Sequence, residues 1–531
     1  MVQRIFRVIN EPNSVRGATA ILAVTLFFSN VLGVIRDHFL AQKIPAGTLD
    51  TYFAAFRLPD LIFNALILAA VSSAFLPVFT DFLAKGKLKQ AFHVANTLIS
   101  SSMIGLFVLL GVLYGAMPLF ITHLVPNFSA DNIALTIHNA RILLLSPLIF
   151  GLSFIVSSML NSWKRFVATS FSPLIYNGAI IVGTVLFADR YSIQGVVWAV
   201  VVGSLLHLLI QLPTLFGLGF RFRPSLDLGN DAVHRIWALT IPRALGLGAN
   251  QIMLLAFTSI AARIGTGAIA IYTFADNIQT TPTVIFATSI AQALFPTLAE
   301  HYALEKHEQF GYHIERAINA IVFILLPMAV GMVLLRAQIV RLILGSGYFG
   351  WEQTREAASV VGWFGMGLVF SALLPLIHRI FFAMQNTLIP TIGGIVAVVV
   401  AIVSAQLLAP VTHISALPIG FSLGAMVEFV LLYAIVVRQV HINQASLGLN
   451  SARVAVATLV MALAVQGGKI AVGQIIPLTH SLAVLLQLGV ATALGVLVYF
   501  PVTHFLGHPG IDLPIKQFIV NRIYGQRNGR L

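Results

Sequence analysis

The chain alternates between long apolar runs and short polar segments. Fourteen runs reach the length of about 20 residues that a helix needs to cross a bilayer. The second, seventh and eighth runs are longer than this minimum, and Pro59, Pro242 and Pro282 are natural bend points within them. The pattern predicts an all-α integral membrane protein with about 14 transmembrane helices. The runs lie near residues 17–36, 51–80, 92–116, 138–160, 167–188, 193–215, 232–262, 266–298, 313–334, 357–382, 388–409, 415–437, 452–473 and 480–504.

Composition agrees with a membrane protein and excludes several functional classes. Of the 531 residues, 58% are hydrophobic and only 9% are charged, which is too little charge to cover a soluble protein. The net charge of +13 is scattered over many loops, which argues for anionic membrane lipids as partners and against nucleic acid. The chain has no cysteine and no nucleotide-binding or metalloprotease motif. We therefore predict a protein that is not an enzyme, with no catalytic residue, cofactor or metal site.

The distribution of Lys and Arg predicts the orientation in the membrane. With the N-terminus inside, 20 basic residues fall in inside loops or tails and 7 fall in outside loops. This bias predicts that both termini are cytoplasmic. The first run is long enough to span, so we expect an uncleaved first helix. Residues 511–531 form a basic cytoplasmic tail, which either lies on anionic lipid or is disordered.

An internal repeat is visible at an offset of 219 residues. The segment Ala74–Asp81 (AFLPVFTD) aligns with Ala293–Glu300 (ALFPTLAE), and the same offset places Arg57 opposite Asp276. Parallel repeats of this kind are typical of transporters with a substrate path between two halves. Chance similarity between two apolar helices is the alternative. The repeat predicts two pseudo-symmetric six-helix lobes, residues 1–218 and 219–440, followed by two C-terminal helices in residues 441–510.

Three arginines fall within or at the edge of apolar runs, namely Arg36, Arg57 and Arg243. A charge at membrane depth is costly, so such residues normally face a polar cavity. One guanidinium group can bind two phosphate oxygens at once, and it keeps its charge in a site without water. The arginines therefore indicate a site for an anionic substrate. Under the alternative, structural carboxylates neutralise them: Asp37 or Asp50 for Arg36, and Asp60 or Asp276 for Arg57.

Glu428 lies near the middle of the twelfth run. A carboxylate at this depth indicates a proton or cation site that couples transport to an ion gradient. A hydrogen-bonded structural carboxylate is the other interpretation.

Several motifs in a fixed order resemble one family. The stretch Ser29–Phe82 contains VLGVIRD, then DTYFAAFRLP, then SAFLPVF, and further motifs follow along the chain. Together they resemble the MurJ (MviN) family of lipid II flippases in the MOP exporter superfamily. The further motifs are Leu160–Asn177, Pro242–Ile252, Gly267–Pro282, Leu326–Phe349 and His378–Pro390.

The resemblance implies a fold like that of multidrug exporters of the MATE type. It implies a flippase that moves lipid II, a polyprenyl-pyrophosphate-linked peptidoglycan precursor, from the inner to the outer leaflet of the bacterial cytoplasmic membrane by alternating access. Residues 441–510 would form a groove for the lipid tail, and other cell-wall synthesis proteins are expected partners. The resemblance implies that arginines in a central cavity bind the pyrophosphate, and Arg36, Asp37, Asp50 and Arg57 keep the family pattern. Together with the charges within the apolar runs, this predicts that Arg36, Arg57 and Arg243 bind the substrate, with Asp50 and Asp276 orienting them and Asn277 as a further site residue.

This sequence departs from the family pattern at several positions. Arginines of the family are replaced by Asn30, Phe63, Asn64 and Asn277. An acidic residue and a glycine of the family are replaced by Leu68 and Ala69. Two other functions therefore stay open: MATE-like export of another lipid-linked glycan or small molecule, and a scaffold that does not transport.

Overall fold

The structure is a computed structural model that describes residues 15–67, 75–477 and 480–509. Within these ranges, the structure does not describe the side chains of residues 15–20, 22–23, 66, 239 and 241–249. Within the described ranges, all regular secondary structure is helical. The fold class predicted from the apolar runs is confirmed.

The first half of the chain forms nine helices in the described ranges. A π-helical turn, Phe63–Ile67, follows the second of them. The helices are α1 Val15–Lys43, α2 Ala46–Ile62, α3 Leu76–Ala84, α4 Leu88–Leu124, α5 Ala130–Leu143, α6 Leu145–Ser162, α7 Phe166–Leu209, α8 Leu212–Gly217 and α9 Asp231–Ile264.

The second half forms eight helices in the described ranges. A π-helical turn, Thr283–Thr288, follows its first helix, and a 3-10 turn, His413–Ser415, joins α14 to α15. The helices are α10 Ala268–Pro282, α11 Ser289–Ala303, α12 His307–Ile343, α13 Trp351–Ala383, α14 Leu388–Thr412, α15 Ala416–Gln439, α16 Gln444–Ile475 and α17 Ser481–Phe505.

Ten helical stretches in the described part of the chain are long and apolar enough to cross a membrane. Two of them, Phe166–Gly217 and Leu388–Gln439, have 52 residues each. That is about 78 Å of helix, more than twice the hydrocarbon core of about 30 Å. Each bends at a residue with positive φ, Ser192 at 50° and His413 at 48°, so each is two spans. The second and seventh predicted spans include residues 68–74 and side chains 241–249, which lie outside the description.

The backbone carries the repeat that the sequence shows. Non-glycine residues rarely adopt positive φ, because the left-handed region is sterically costly. Positions with positive φ, most of them not glycine, nevertheless recur at offsets of about 220 residues, at helix ends or bends. They form the pairs Gly86 and Glu305, Lys164 and Gln385, and Ser192 and His413. The two π-helical turns have the same spacing, which supports two structurally equivalent sets of helices.

The chain divides into two compact units. The first comprises Met1–Phe274 and Ile343–Gln353, and the second comprises Ala275–Leu342 and Thr354–Leu531. The sequence-based boundaries at 218, 440 and 510 stay predictions.

An aromatic chain forms part of the core of the first unit. The Phe79 ring lies 5.1 Å from Trp163, and Phe92 lies 5.9 Å from Trp163 and 5.3 Å from Phe220. Edge-to-face aromatic pairs add to the stabilisation from burial. These rings connect α3, α4, α6 and the segment before α9, and so hold one end of the first unit together.

Small residues set the spacing of α14 and α15 in the second unit. A Cβ atom at Gly420 would lie 2.5 Å from the carbonyl oxygen of Ala401, and one at Gly424 would lie 2.6 Å from that of Ala397. Glycines four residues apart let membrane helices approach closely. The backbones of α14 and α15 therefore pack with almost no side chain between them.

We predict that Gly420→Val destabilises the protein, because its side chain would overlap the Ala401 carbonyl. Overpacking of this kind costs about 1–3 kcal/mol. The melting temperature of the purified protein in detergent should fall. Gly489→Val is the matched control, since a Cβ atom at Gly489 on α17 meets nothing within 4 Å. Equal melting temperatures for the two variants would contradict the close packing.

Candidate functional site

Arg36 lies on α1 and joins this helix to α7. Its Nε and Nη2 atoms donate to Oδ1 of Asp37 at 3.1 and 2.9 Å, and its Nη1 atom donates to Oδ1 of Asn177 at 3.3 Å. The Asn177 amide donates in turn to the carbonyl and hydroxyl oxygens of Ser29, both at 3.4 Å. The Asp37 side chain is 4% exposed and that of Arg36 is 23% exposed. The guanidinium is thus held by a buried carboxylate and an amide, while the Arg36 side chain stays partly exposed.

Arg57 lies on α2, about 16 Å along the helix from Ala46. Its Nε atom donates to Oγ1 of Thr258 at 2.6 Å, and its Nη2 atom donates to Oγ1 of Thr273 at 3.3 Å. The two threonines belong to α9 and α10. Because Arg57 is only 8% exposed, these contacts fix the position of its charge among three helices.

Asp60 follows Arg57 by one turn and is half-buried. Within the described part of the chain, its carboxylate forms no hydrogen bond or ion pair. It interacts electrostatically with Arg57 and, more weakly, with Arg36. The Arg36 charge also interacts with the hydroxyl groups of Tyr52 and Tyr176. One polar region of the first unit therefore contains both predicted arginines.

Asp50 has a different role from the one that the family resemblance implies. Its two carboxylate oxygens accept hydrogen bonds from the backbone N–H groups of Gly267 and Ala270, at 2.5 and 2.9 Å. These groups lie at the start of α10, which leaves its first N–H groups without helical partners. Gly267 has a φ of +89°, which favours glycine. Asp50 is 1% exposed and caps α10, so both of its oxygens bind backbone rather than Arg36 or Arg57.

The positions that lost family arginines contain amides and an aromatic ring. Asn30 and Asn64 each donate to a backbone carbonyl four residues earlier, at 2.8 and 2.9 Å. The Phe63 ring lies 5.3 Å from Phe150 and 5.2 Å from Phe154. Aromatic packing thus occupies the place of one cation. Leu68 and Ala69 lie outside the described residues.

Three further predicted site residues lie on α9 and α10. Arg243 lies on α9, but its side chain falls outside the description. Asp276 and Asn277 lie on α10 in the second unit and are half-buried. The Asp276 Oδ1 atom accepts from Nε2 of Gln279 at 3.0 Å. Their roles in substrate binding stay predictions.

Glu428 forms a buried pair that sequence reasoning missed. Its Oε1 atom lies 2.8 Å from Nε2 of His378, which joins α15 to α13. The side chain of Glu428 is 8% exposed and that of His378 is 33% exposed. This partner, His378, is the first residue of the family-like motif His378–Pro390, so the motif could have pointed to it. The pair supports the hydrogen-bonded interpretation of Glu428, and ion coupling stays a prediction.

An apolar groove of about 550 Å³ lies in the second unit. It is bounded by α10 with its π-helical turn, α12, α16 and α17. Its polar groups include the Tyr499 hydroxyl, which donates to the carbonyl oxygen of Phe323 at 2.7 Å. Residues on its walls include Ile278, Phe286, Ile324, Met328, Gly331, Met332, Leu335, Ile339, Met461, Val465, Leu488, Gly495 and Phe500.

Comparisons with known proteins agree with one another. A family model described as lipid II flippase MurJ matches residues 44–486. The lipid II flippase MurJ of Burkholderia cenocepacia is 24% identical over 430 residues, covering 78% of this chain and 82% of that protein. The probable lipid II flippase MurJ of Rickettsia prowazekii is 24% identical over 495 residues, covering 92% and 96%.

Solved structures show the same fold. A lipid II flippase MurJ in an inward closed conformation matches with a TM-score of 0.77 at 19% identity, covering 92% of this chain and 98% of that one. An inward-facing multidrug resistance MATE family transporter of the MOP superfamily matches with a TM-score of 0.67 at 14% identity, covering 80% and 98%. The expected likeness to MATE-type exporters is confirmed at the level of the fold.

We predict that Asp50→Ala destabilises the protein, because it leaves the N–H groups of Gly267 and Ala270 buried without an acceptor. An unsatisfied buried group costs about 1–3 kcal/mol. The melting temperature should fall clearly, and less for Asp50→Asn, which keeps one acceptor oxygen. Asp189→Ala is the control, since this carboxylate is 67% exposed and its ion pair with Lys43 contributes little. If Asp50→Ala and Asp189→Ala melt alike, Asp50 does not cap α10.

Proposed function

The chain belongs to the lipid II flippase MurJ family, and we propose that it moves a polyprenyl-pyrophosphate-linked peptidoglycan precursor from the inner to the outer leaflet by alternating access. The observation that carries this proposal is the pair of guanidinium groups, Arg36 on α1 and Arg57 on α2, each held in place by hydrogen bonds within the first unit. Phosphate oxygens are the ligands that such preorganised guanidinium groups bind best.

The hydrogen bonds that hold Arg36 and Arg57 in place suggest how these arginines would bind the pyrophosphate. The Arg36 side chain is 23% exposed although Asp37 and Asn177 accept its hydrogen bonds, which supports contact between this partly exposed side chain and a phosphate oxygen. Arg57 is held by hydroxyl groups of Thr258 and Thr273 and adds a second positive charge. We propose Arg36 and Arg57 as substrate-binding residues and Asp50 as the residue that positions α10.

The apolar groove of the second unit suits the lipid tail. Its walls are built from aliphatic, methionine and aromatic side chains of α12, α16 and α17. Thioethers are flexible and adapt to irregular apolar ligands. We propose that residues 441–510, with α12, hold the polyprenyl chain there.

The membrane potential supplies a driving force for this transport. Two negative charges that move outward through 100 mV release about 4–5 kcal/mol when the interior is negative. A cycle driven in this way needs no coupled ion, although the pair of Glu428 and His378 offers a place where a proton could bind.

We predict that Arg36→Ala and Arg57→Ala abolish rescue of a bacterium depleted of its own lipid II flippase. Each removes a charge that the anionic headgroup requires. Lysine at either position should rescue only in part, because it cannot form the bidentate contact. Growth after depletion is the measurement.

The matched control is Arg190→Ala, an exposed arginine whose guanidinium lies 5.4 Å from the centre of the Tyr191 ring. It should support growth like the unaltered chain. All variants must reach the membrane at equal levels. Normal growth with both Arg36→Ala and Arg57→Ala would refute the phosphate site.

We propose the orientation with both termini in the cytoplasm. The chain has no cysteine, so single cysteines report on orientation. An impermeant maleimide added to intact cells should label Arg263→Cys at the exposed end of α9 and leave Lys87→Cys between α3 and α4 unlabelled. Lysis should expose Lys87→Cys to the reagent. The reverse pattern would invert the topology.

A further inference from the structure

The groove of the second unit extends along most of the membrane thickness. On α12 its wall runs from Phe323 to Ile339, about 24 Å of helix. The bond between Tyr499 and the Phe323 carbonyl marks one end. At the other end the wall reaches Ile339, four residues before α12 ends at Ile343, which the proposed topology places at the outer surface.

Hydrogen bonds between side chains tie three helices together at this outer end. Gln338 Nε2 on α12 donates to Oε1 of Gln487 on α17 at 2.9 Å. The Gln487 amide donates to the carbonyl oxygen of Lys469 on α16 at 2.7 Å. Both glutamines are buried. The outer end of the groove is therefore a fixed polar wall.

Two cations lie beside this wall, each one turn beyond a residue that lines the groove. Arg336 follows Met332 by four residues, and Lys469 follows Val465 by four, so each pair shares a helix face. Arg336 Nη1 donates to the carbonyl oxygen of Val333 at 3.0 Å. Lys469 Nζ donates to that of the next residue, Leu334, at 3.2 Å. The two positive charges are thus close enough to repel each other.

The charges of Arg336 and Lys469 are not compensated by protein carboxylates in the described ranges, where neither residue forms an ion pair. Each has hydrogen-bond donors to spare, since Arg336 uses one of five and Lys469 one of three. An anion that contacts both would relieve the repulsion and use these donors. The alternative is that both side chains extend toward the membrane surface, where water solvates their charges, and bind no ligand.

We propose that Arg336 and Lys469 bind the phosphate groups of a prenyl lipid at the outer end of the groove, while the prenyl chain of the same lipid lies within it. The identity of the lipid rests on the proposed function. This site is distinct from Arg36 and Arg57, which belong to the first unit, and it would hold the headgroup on the outer side before release.

The groove favours a single flexible chain. Its lining includes Met328, Met332 and Met461, whose thioethers adapt to a methyl-branched ligand. A Cβ atom at Gly331 would meet nothing within 4 Å, so the floor of the groove is open there. An anionic phospholipid also carries a phosphate group, but it has two acyl chains. The test below distinguishes a prenyl lipid from an anionic phospholipid.

The test is binding of farnesyl pyrophosphate to the full-length protein in nanodiscs of neutral lipid. All variants are made in an Arg36→Ala/Arg57→Ala background, which removes binding at the first unit. The variant Arg336→Gln/Lys469→Gln should bind about tenfold or more weakly, since two charge-assisted contacts are lost. Arg190→Gln/Arg355→Gln removes two exposed charges elsewhere and should bind normally. Arg336→Lys/Lys469→Arg should retain most of the affinity.

Further ligands separate the headgroup from the chain. Farnesol should bind equally to the parent and to Arg336→Gln/Lys469→Gln, whereas Gly331→Phe, which fills the groove, should weaken both farnesol and farnesyl pyrophosphate. Melting temperatures confirm that each variant is folded. Equal affinity of Arg336→Gln/Lys469→Gln and its parent for farnesyl pyrophosphate would overturn the proposal. If phosphatidylglycerol binds this site as tightly as farnesyl pyrophosphate does, the assignment to a prenyl lipid is overturned.

Failure of this inference and failure of the proposed function give different results. If the chain does not flip lipid II, it fails to rescue depleted cells even when charge-dependent binding of farnesyl pyrophosphate at Arg336 and Lys469 persists. If only the proposed outer site does not exist, rescue depends on Arg36 and Arg57, while replacing Arg336 and Lys469 leaves the affinity for farnesyl pyrophosphate unchanged.

Discussion

The burial of Arg57 is the constraint on which the first unit depends. A guanidinium in a membrane-spanning helix is costly unless its donors are satisfied within the protein. Here hydroxyl groups on α9 and α10 bind it, so three helices must keep their register. Asp50 fixes the start of α10, about one and a half turns before Thr273, and thereby sets where that hydroxyl lies. The structural role of Asp50 and the proposed binding role of Arg57 are thus linked through one short helix.

Polar and apolar functions are divided between the two units. The first contains fixed guanidinium groups that suit a pyrophosphate, and the second contains a long apolar groove that suits a polyprenyl chain. The aromatic ring of Phe63 stands where the resembled family has arginine, which leaves fewer cations for a headgroup. We therefore propose that headgroup binding depends mainly on Arg36 and Arg57.

Run length and charge placement predicted much of the fold. Apolar runs are long in a membrane protein because every span must cover the hydrocarbon core. Where the structure describes the predicted segments, they are largely helical, and ten helical stretches there are long and apolar enough to span a membrane. The repeat could be predicted because Ala74–Asp81 and Ala293–Glu300 kept similar residues. The partners of the arginines could not, since Asn177, Thr258 and Thr273 are common neutral residues, two of them more than 200 positions from Arg57. The family resemblance gave Asp50 a role beside the arginines, because sequence alone does not show which backbone N–H groups a carboxylate meets.

The central claim is that this protein moves a lipid-linked anion across the bilayer. The most direct measurement is the transfer of lipid II between the leaflets of proteoliposomes that contain the purified chain, with and without an imposed membrane potential. We expect transfer that requires the protein and accelerates when the side of origin is negative. Lipid II that stays in its original leaflet at either potential, in vesicles whose protein is folded and inserted, would show that the protein does not move it.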